Sequence, residues 1–272
     1  MEHYLYQPPA PLDRFVEVIW TSVGEGRPHP KERLLPDGSV ELVVNLRDER
    51  VPIFSGENAE YCRIFRGSVI CGPHSRSFAI DTAGDFNVAG VHFKAGGAYP
   101  FLKLPSGEIH NAHVGLADVW GAQADEVRER LLNAKTPQAK VRVLELALLA
   151  RAQAPKRHPA VSFALTEFHG SPETQKISVV ADRLGLSPRR FIEVFRKEVG
   201  LTPKLFCRVR RFQKVIREIS VGRAVDWAEI ALTCGYFDQA HFIHDFRAFS
   251  GINPSTYLAD HTSHRNHVPI RA

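Results

Sequence analysis

ISVVADRLGLSPRRFIEVFRKEVGLTP, Ile177 to Pro203, and WAEIALTCGYFDQAHFIHDFRAFSGINP, Trp227 to Pro254, are one pattern written twice. Phe191, Phe195, Gly200 and Pro203 recur as Phe242, Phe246, Gly251 and Pro254 at a spacing of 51, while Ala181 and Gly185 recur as Ala231 and Gly235 at 50. One extra residue therefore sits in the second turn. A unit repeated at fixed period predicts two similar helix-turn-helix units side by side.

Each repeated position has a physical reason. Ala181 and Ala231 are small, so a second helix can cross the first closely. Gly185 and Gly235 end the first helices, where a left-handed residue is cheap without a side chain. Ser187 before Pro188 reads as an N-cap with proline at the first helical position, and Asp238 reads as the matching N-cap. Phe191 with Phe195, and Phe242 with Phe246, stand four apart and anchor each second helix into a small core. The outer faces carry Arg189, Arg190, Ile192, Glu193, Arg196 and Lys197 in one copy, and Gln239, Ala240, Ile243, His244 and Arg247 in the other.

The stretch from about Ala160 to Asp260 resembles the DNA-binding domain of the AraC/XylS family of bacterial transcription regulators. The segment GYFDQAHFIHDFRAFSGINPSTY, Gly235 to Tyr257, carries the likeness: glycine and aromatic, a polar cap, an aromatic-anchored helix, then glycine and proline before a tyrosine. The resemblance implies seven helices, two helix-turn-helix subdomains on a long central helix, and one helix from each subdomain in consecutive major grooves. The central helix here is expected from Lys204 to Ile219, with Arg208, Arg210, Arg211, Lys214 and Arg217 making it basic.

Carried over position by position, the resemblance puts Arg189, Ile192, Glu193, Gln239, Ala240, Ile243 and His244 at base edges. Arginine can read guanine, glutamine adenine, and apolar groups the thymine methyl. Many relatives have arginine where this chain has His244, which implies weaker readout by the second subdomain. Arg190, Arg196, Lys197, Arg208, Arg211 and Arg247 are the phosphate candidates, supplying affinity and register. The bland alternative for each is a solvated helix face.

Charge follows the motif. From Pro155 onward, 18 Lys and Arg face 11 Asp and Glu, against 17 and 19 before it. That asymmetry suits a nucleic-acid module. At 272 residues and 44% hydrophobic content, the chain is long enough for two domains. No run of apolar residues is long enough to span a membrane, and MEHYLYQPPAPLDRF lacks the basic start and apolar core of a signal peptide. A cytoplasmic location is expected. Cys62, Cys71, Cys207 and Cys234 lack paired spacing, so neither a disulfide framework nor a structural zinc site is suggested.

Ahead of the motif, Ser39–Leu46, Arg66–Gly72, Ser77–Thr82 and Asn87–Phe93 read as strands bounded by Gly, Pro, Asp and Asn. Ala124–Leu132 and Ala139–Arg151 read as helices broken at Thr136 and Pro137. The apolar face of the second could cover the N-terminal domain or a second subunit. Leu34–Leu46 and Gly90–Gly121 resemble a poorly characterised N-terminal domain found ahead of AraC-type modules, which implies a sensor role. Phe78, Phe93, Tyr99, Phe101 and Trp120 are candidates to line an effector pocket, with core packing as their alternative. His74, His92, His110 and His113 lack a metal-centre spacing, and no catalytic motif or cofactor is indicated. An enzyme dependent on a metal or small molecule, or a DNA-repair alkyltransferase fused to the module, is the competing reading; the cysteine signatures of such alkyltransferases are missing.

The expected fold class is α+β: residues 1–122 form a β-rich α+β sensor domain, 123–159 a helical connector and linker, 160–260 the all-α double helix-turn-helix, and 261–272 a flexible tail. The expected function is sequence-specific transcriptional regulation without enzyme activity. Expected partners are double-stranded promoter DNA, RNA polymerase, a small-molecule effector and a second copy of the chain.

Overall fold

The computed structural model describes residues 2–56, 58–152, 157–170, 177–219, 225–262 and 264–271. The N-terminal half contains β1 (Glu2–Tyr6), β2 (Val16–Gly24), β3 (Lys31–Leu34), β4 (Glu41–Asn45), β5 (Arg50–Ser55), β6 (Tyr61–Arg66), β7 (Ser68–Cys71), β8 (Phe78–Asp81) and β9 (Phe86–Phe93). After these come α1 (Tyr99–Leu102), β10 (His113–Gly115), α2 (Leu116–Trp120), α3 (Gln123–Asn133) and α4 (Pro137–Arg151). The C-terminal half is α5 (Pro159–Gly170), α6 (Ile177–Arg183), α7 (Pro188–Val199), α8 (Pro203–Glu218), α9 (Trp227–Thr233), α10 (Gln239–Ser250) and α11 (Pro254–Asp260), followed by β11 (His267–Ile270).

The strands form two antiparallel sheets, ordered β1-β2-β9-β4-β7-β10 and β11-β3-β8-β5-β6. Alternation decides what each face of the six-stranded sheet does. Leu42, Val44, Ile70, Ala89, Val91 and Phe93 point to one side, into a core completed by Val127 and Leu131 of α3 and Val141, Leu144 and Leu148 of α4. Glu41, Val43, Val69, Cys71, Val88 and His92 point to the other side, where they line a cavity facing the five-stranded sheet.

The two helices of the expected connector are thus part of the N-terminal core, and the apolar face of α4 lies on that core. Thr136 accepts from Ala139 N and caps α4, with Pro137 at its first position. The expected flexible tail is corrected as well. Residues 267–270 pair with β3, His267 opposite Leu34 and Ile270 opposite Lys31, so the C-terminus supplies an edge strand of the N-terminal sheet. Val268 is buried there, and Pro269 is tolerated because an edge strand leaves one row of backbone donors unused.

Candidate nucleic-acid interface

Two turns of the same geometry hold α7 and α10. Leu186 N donates to Ala181 O at 3.1 Å, and Tyr236 N donates to Ala231 O at 2.9 Å. Gly185 and Gly235 take φ of +64° and +80°, the left-handed region expected of them. Ser187 Oγ accepts from Arg190 N at 3.3 Å, and Asp238 Oδ1 accepts from His241 N at 2.7 Å. Both second helices therefore begin at side-chain caps.

Phenylalanines fix each helix to its core. Phe191 and Phe195 rings stand 5.8 Å apart, and those of Phe242 and Phe246 5.7 Å apart. Helix α8 joins the two clusters, because Phe206 packs on Phe195 at 5.7 Å and Phe212 on Phe246 at 5.2 Å. Thr202 caps α8, and Pro203 and Pro254 open α8 and α11 after each repeat. The expected central helix is therefore present, one residue displaced at each end.

Outward-facing residues divide into free and engaged ones. Arg189, Arg190, Ile192, Glu193, Gln239, Ala240 and His244 are exposed, and Ile243 is half-buried. Arg189 and Arg190 both reach Glu193 at 3.4 Å. Pairs this exposed are weak, so DNA can displace them. Arg196 and Lys197 are exposed at the end of α7 where the N-terminal domain comes against it, with Lys197 Nζ 5.8 Å from the Tyr99 ring. Arg247 bonds Asn253 in the turn before α11.

The two phosphate candidates on α8 have partners in the second unit. Arg208 grips Asp245 through Nη2 at 2.6 Å and Nε at 3.3 Å, and Asp245 is 1% exposed. Arg211 donates to Gly235 O at 3.0 Å and covers the Tyr236 ring. Both guanidinium groups tie α8 to the second unit, and Asp245 was the signal: a carboxylate on the inner face of a helix requires a cation opposite.

A second feature lies between the sheets, a cavity of about 680 Å³. Strand register aligns Cys71, Glu41 and His92 across β7, β4 and β9, and Val69, Val43, Gly90 and Trp20 one step along. Gly90 is needed there, since a Cβ would lie 2.5 Å from the Trp20 indole. Trp20 Nε1 donates to Glu41 Oε1 at 3.0 Å. His92 lies 3.3 Å from Asp37 and 3.8 Å from Glu41. Burial alone would lower its pKa, but the two carboxylates outweigh burial and hold the ring protonated. Across the cavity, Glu32 accepts from Arg27 and meets His29 at 2.7 Å and His267 at 2.8 Å. Burial pushes this carboxyl up, the two histidines and Arg27 pull it down further, and it settles at about 2.

Of the five pocket candidates, Phe78 lines this cavity. Phe93, Phe101 and Trp120 are buried in the core beneath the sheet, and Tyr99 faces Lys197. Their aromatic type pointed to a pocket, but the strand pleat turns Phe93 away and presents its neighbour His92. Trp20, Glu32 and His267 carry no local signal in the sequence, because they reach the cavity only through pairing of distant strands.

Residues 180–260 match the helix-turn-helix domain family, and residues 4–115 match a domain family of unknown function (DUF6597). No curated protein matches the chain significantly. Among solved structures, the chain is similar to ToxT from Vibrio cholerae at 10% identity and a TM-score of 0.47, over 89% of this chain and 98% of that one. It is also similar to the C-terminal domain of AraT, a response regulator from Geobacillus stearothermophilus, at 22% identity and a TM-score of 0.36, over 40% of this chain and 98% of that one. A DNA-binding transcriptional dual regulator from Escherichia coli K-12 shares 21% identity over 37% of this chain and 95% of that one, with a TM-score of 0.32. A helix-turn-helix domain over residues 180–260 thus follows a β-rich region that matches a domain family of unknown function.

Proposed function

We propose that this protein regulates transcription by placing α7 and α10 in successive major grooves on one face of promoter DNA, and that the cavity between the sheets seats a small-molecule effector. The observation that carries the reading is α8. One helix inserts Phe206 into the first core and Phe212 into the second, so two capped helices with exposed polar faces are held as a single two-pronged body. A single subunit then covers sites about 10 bp apart, and pairing with a second copy doubles that footprint. RNA polymerase is the partner through which such binding changes transcription. Among the described residues no helix is long and apolar enough to cross a membrane, and a cytoplasmic location belongs to the same proposal.

The test is a binding selection on random duplexes with the full-length protein. The expected product is a split motif with halves about one helical turn apart, bound less tightly as salt rises. Arg189→Ala or Gln239→Ala should then cost about 1–3 kcal/mol on the selected site and relax preference at one or two positions. Equal loss on every sequence would show that these side chains touch phosphate only, and no enriched motif would refute the reading.

A further inference from the structure

We infer that Phe237 is a DNA contact of the second unit, an apolar reader of a thymine methyl where α10 enters its groove. The inference rests on the promoter-binding reading above. The two units serve as each other's control. Up to the residue after the turn glycine they match: Leu186 and Tyr236 make the same backbone bond to Ala181 and Ala231, and both side chains turn toward the domain core. In the first unit the cap, Ser187, follows at once. In the second, Phe237 is interposed before the cap, Asp238. This interposed residue is the extra one that separates the two repeat spacings.

Packing gives no reason for a phenylalanine there. Phe237 is 86% exposed, the highest value among the exposed large hydrophobic side chains described. Tyr236 and Phe242 on either side are buried and meet edge to face at 5.6 Å, and among the described residues Phe237 joins none of these ring contacts. The turn holds it in place nonetheless. Asp238 takes the His241 N–H at 2.7 Å, and the Phe237 N–H faces the His241 ring at 3.5 Å. The residues that follow, Asp238, Gln239 and Ala240, are all exposed, and Leu232 in the last turn of α9 adds a second exposed apolar side chain.

Helix-turn-helix proteins bring the first residues of the second helix to base edges. A ring one residue ahead of the cap meets the groove wall as that helix enters. An uncharged ring finds no hydrogen-bonding partner on a base edge, and the complementary group in the major groove is the thymine C5-methyl. Burying both against one another also removes from water the most exposed large apolar side chain among the described residues.

The test replaces thymines of the selected duplex one at a time with deoxyuridine, which lacks only that methyl, and measures binding of wild type and Phe237→Ala. One substitution in the half-site of α10 should weaken wild type about fourfold, the effect of uncovering one methyl group. Phe237→Ala should bind the thymine duplex more weakly, lose all sensitivity to that substitution and keep the wild-type melting temperature. If Phe237→Ala binds as tightly as wild type, or stays as sensitive to every deoxyuridine, the inference is overturned. Unchanged DNA affinity with lost transcription in a purified polymerase assay would likewise overturn it and assign the ring to a protein partner. A wild type that selects no sequence takes the promoter reading and this inference down together.

Discussion

His74 and His113 stand ring to ring, centroids 4.6 Å apart, each with a buried Nε2 that lacks a hydrogen-bond partner among the described residues. Burial, then the charges of His113 and His110, hold His74 at about 3; burial and Arg63 hold His113 at about 4. Unfolded, both rings titrate near 6.5. Below that pH the unfolded chain binds more protons than the folded one, so stability falls as pH falls. Glu32 adds a loss of the same sign, but only from about 4.5 downward, toward its folded value of about 2. His92 acts in the opposite sense and elsewhere: its raised pKa contributes stability fully present below 6.5 and lost as pH rises through the folded value. Between about pH 6.5 and 4.5 the pair acts together with His110 and His264, which burial also lowers, and against Glu198, which burial raises. Urea midpoints should decline across this window, and His113→Phe, whose ring would still fit beside Phe65 and Phe78, should flatten the decline. An unchanged slope in His113→Phe would mean that another group carries the titration.

At the scale of elements, the stability of each recognition helix comes from its cap and its phenylalanines. Phe246 is fully buried among Phe212, Phe242 and Tyr257, so Phe246→Ala should cost about 3–5 kcal/mol in denaturant unfolding. Asp238→Ala should cost about 1 kcal/mol, because one orphan N–H at the start of α10 loses its acceptor. A Phe246→Ala protein as stable as wild type would mean that this ring does not anchor α10. These elements were legible in the sequence because their signals are local: a serine before proline, an aspartate ahead of an aromatic pair, a glycine at each turn. Strands β4, β7, β8 and β9 were legible from short Val- and Ile-rich runs between turn residues. Strand β2 was not, because Val18 and Trp20 face the cavity while Val16 and Ile19 face the core, which erases the polar–apolar alternation. The cavity was illegible for a further reason. Glu41, His92 and Trp20 become neighbours only through register, and register depends on pairings between segments tens of residues apart.

Across the whole molecule, the two halves are joined by hydrogen bonds that neither half could make alone. Arg33 donates to Ser250 O at 2.9 Å, Ser77 N to Phe249 O at 2.9 Å, and Gln213 to Pro36 O at 2.9 Å. The first two end on the last turn of α10, and the third starts from α8. The C-terminal strand adds a second tie. Gln213 also reaches Asn266 Oδ1 at 3.0 Å, Tyr257 holds Arg265 O at 2.8 Å, and Leu35 N donates to Asn266 O at 2.9 Å. His264 and His267 of the same segment line the cavity. Part of the cavity wall is therefore a segment that the helix-turn-helix half holds. The arrangement predicts one cooperative unfolding transition for the full chain. Ending the chain before His264 removes β11, exposes β3 as an edge and uncovers the side that Val268 seals, a loss of about 2 kcal/mol from that side chain alone. Calorimetry of the shortened chain should then show two transitions, with the β-rich half melting first. A single transition at the wild-type temperature would mean that the ties through Arg33, Ser77 and Pro36 suffice, and that β11 decorates the sheet without coupling the cavity to α8.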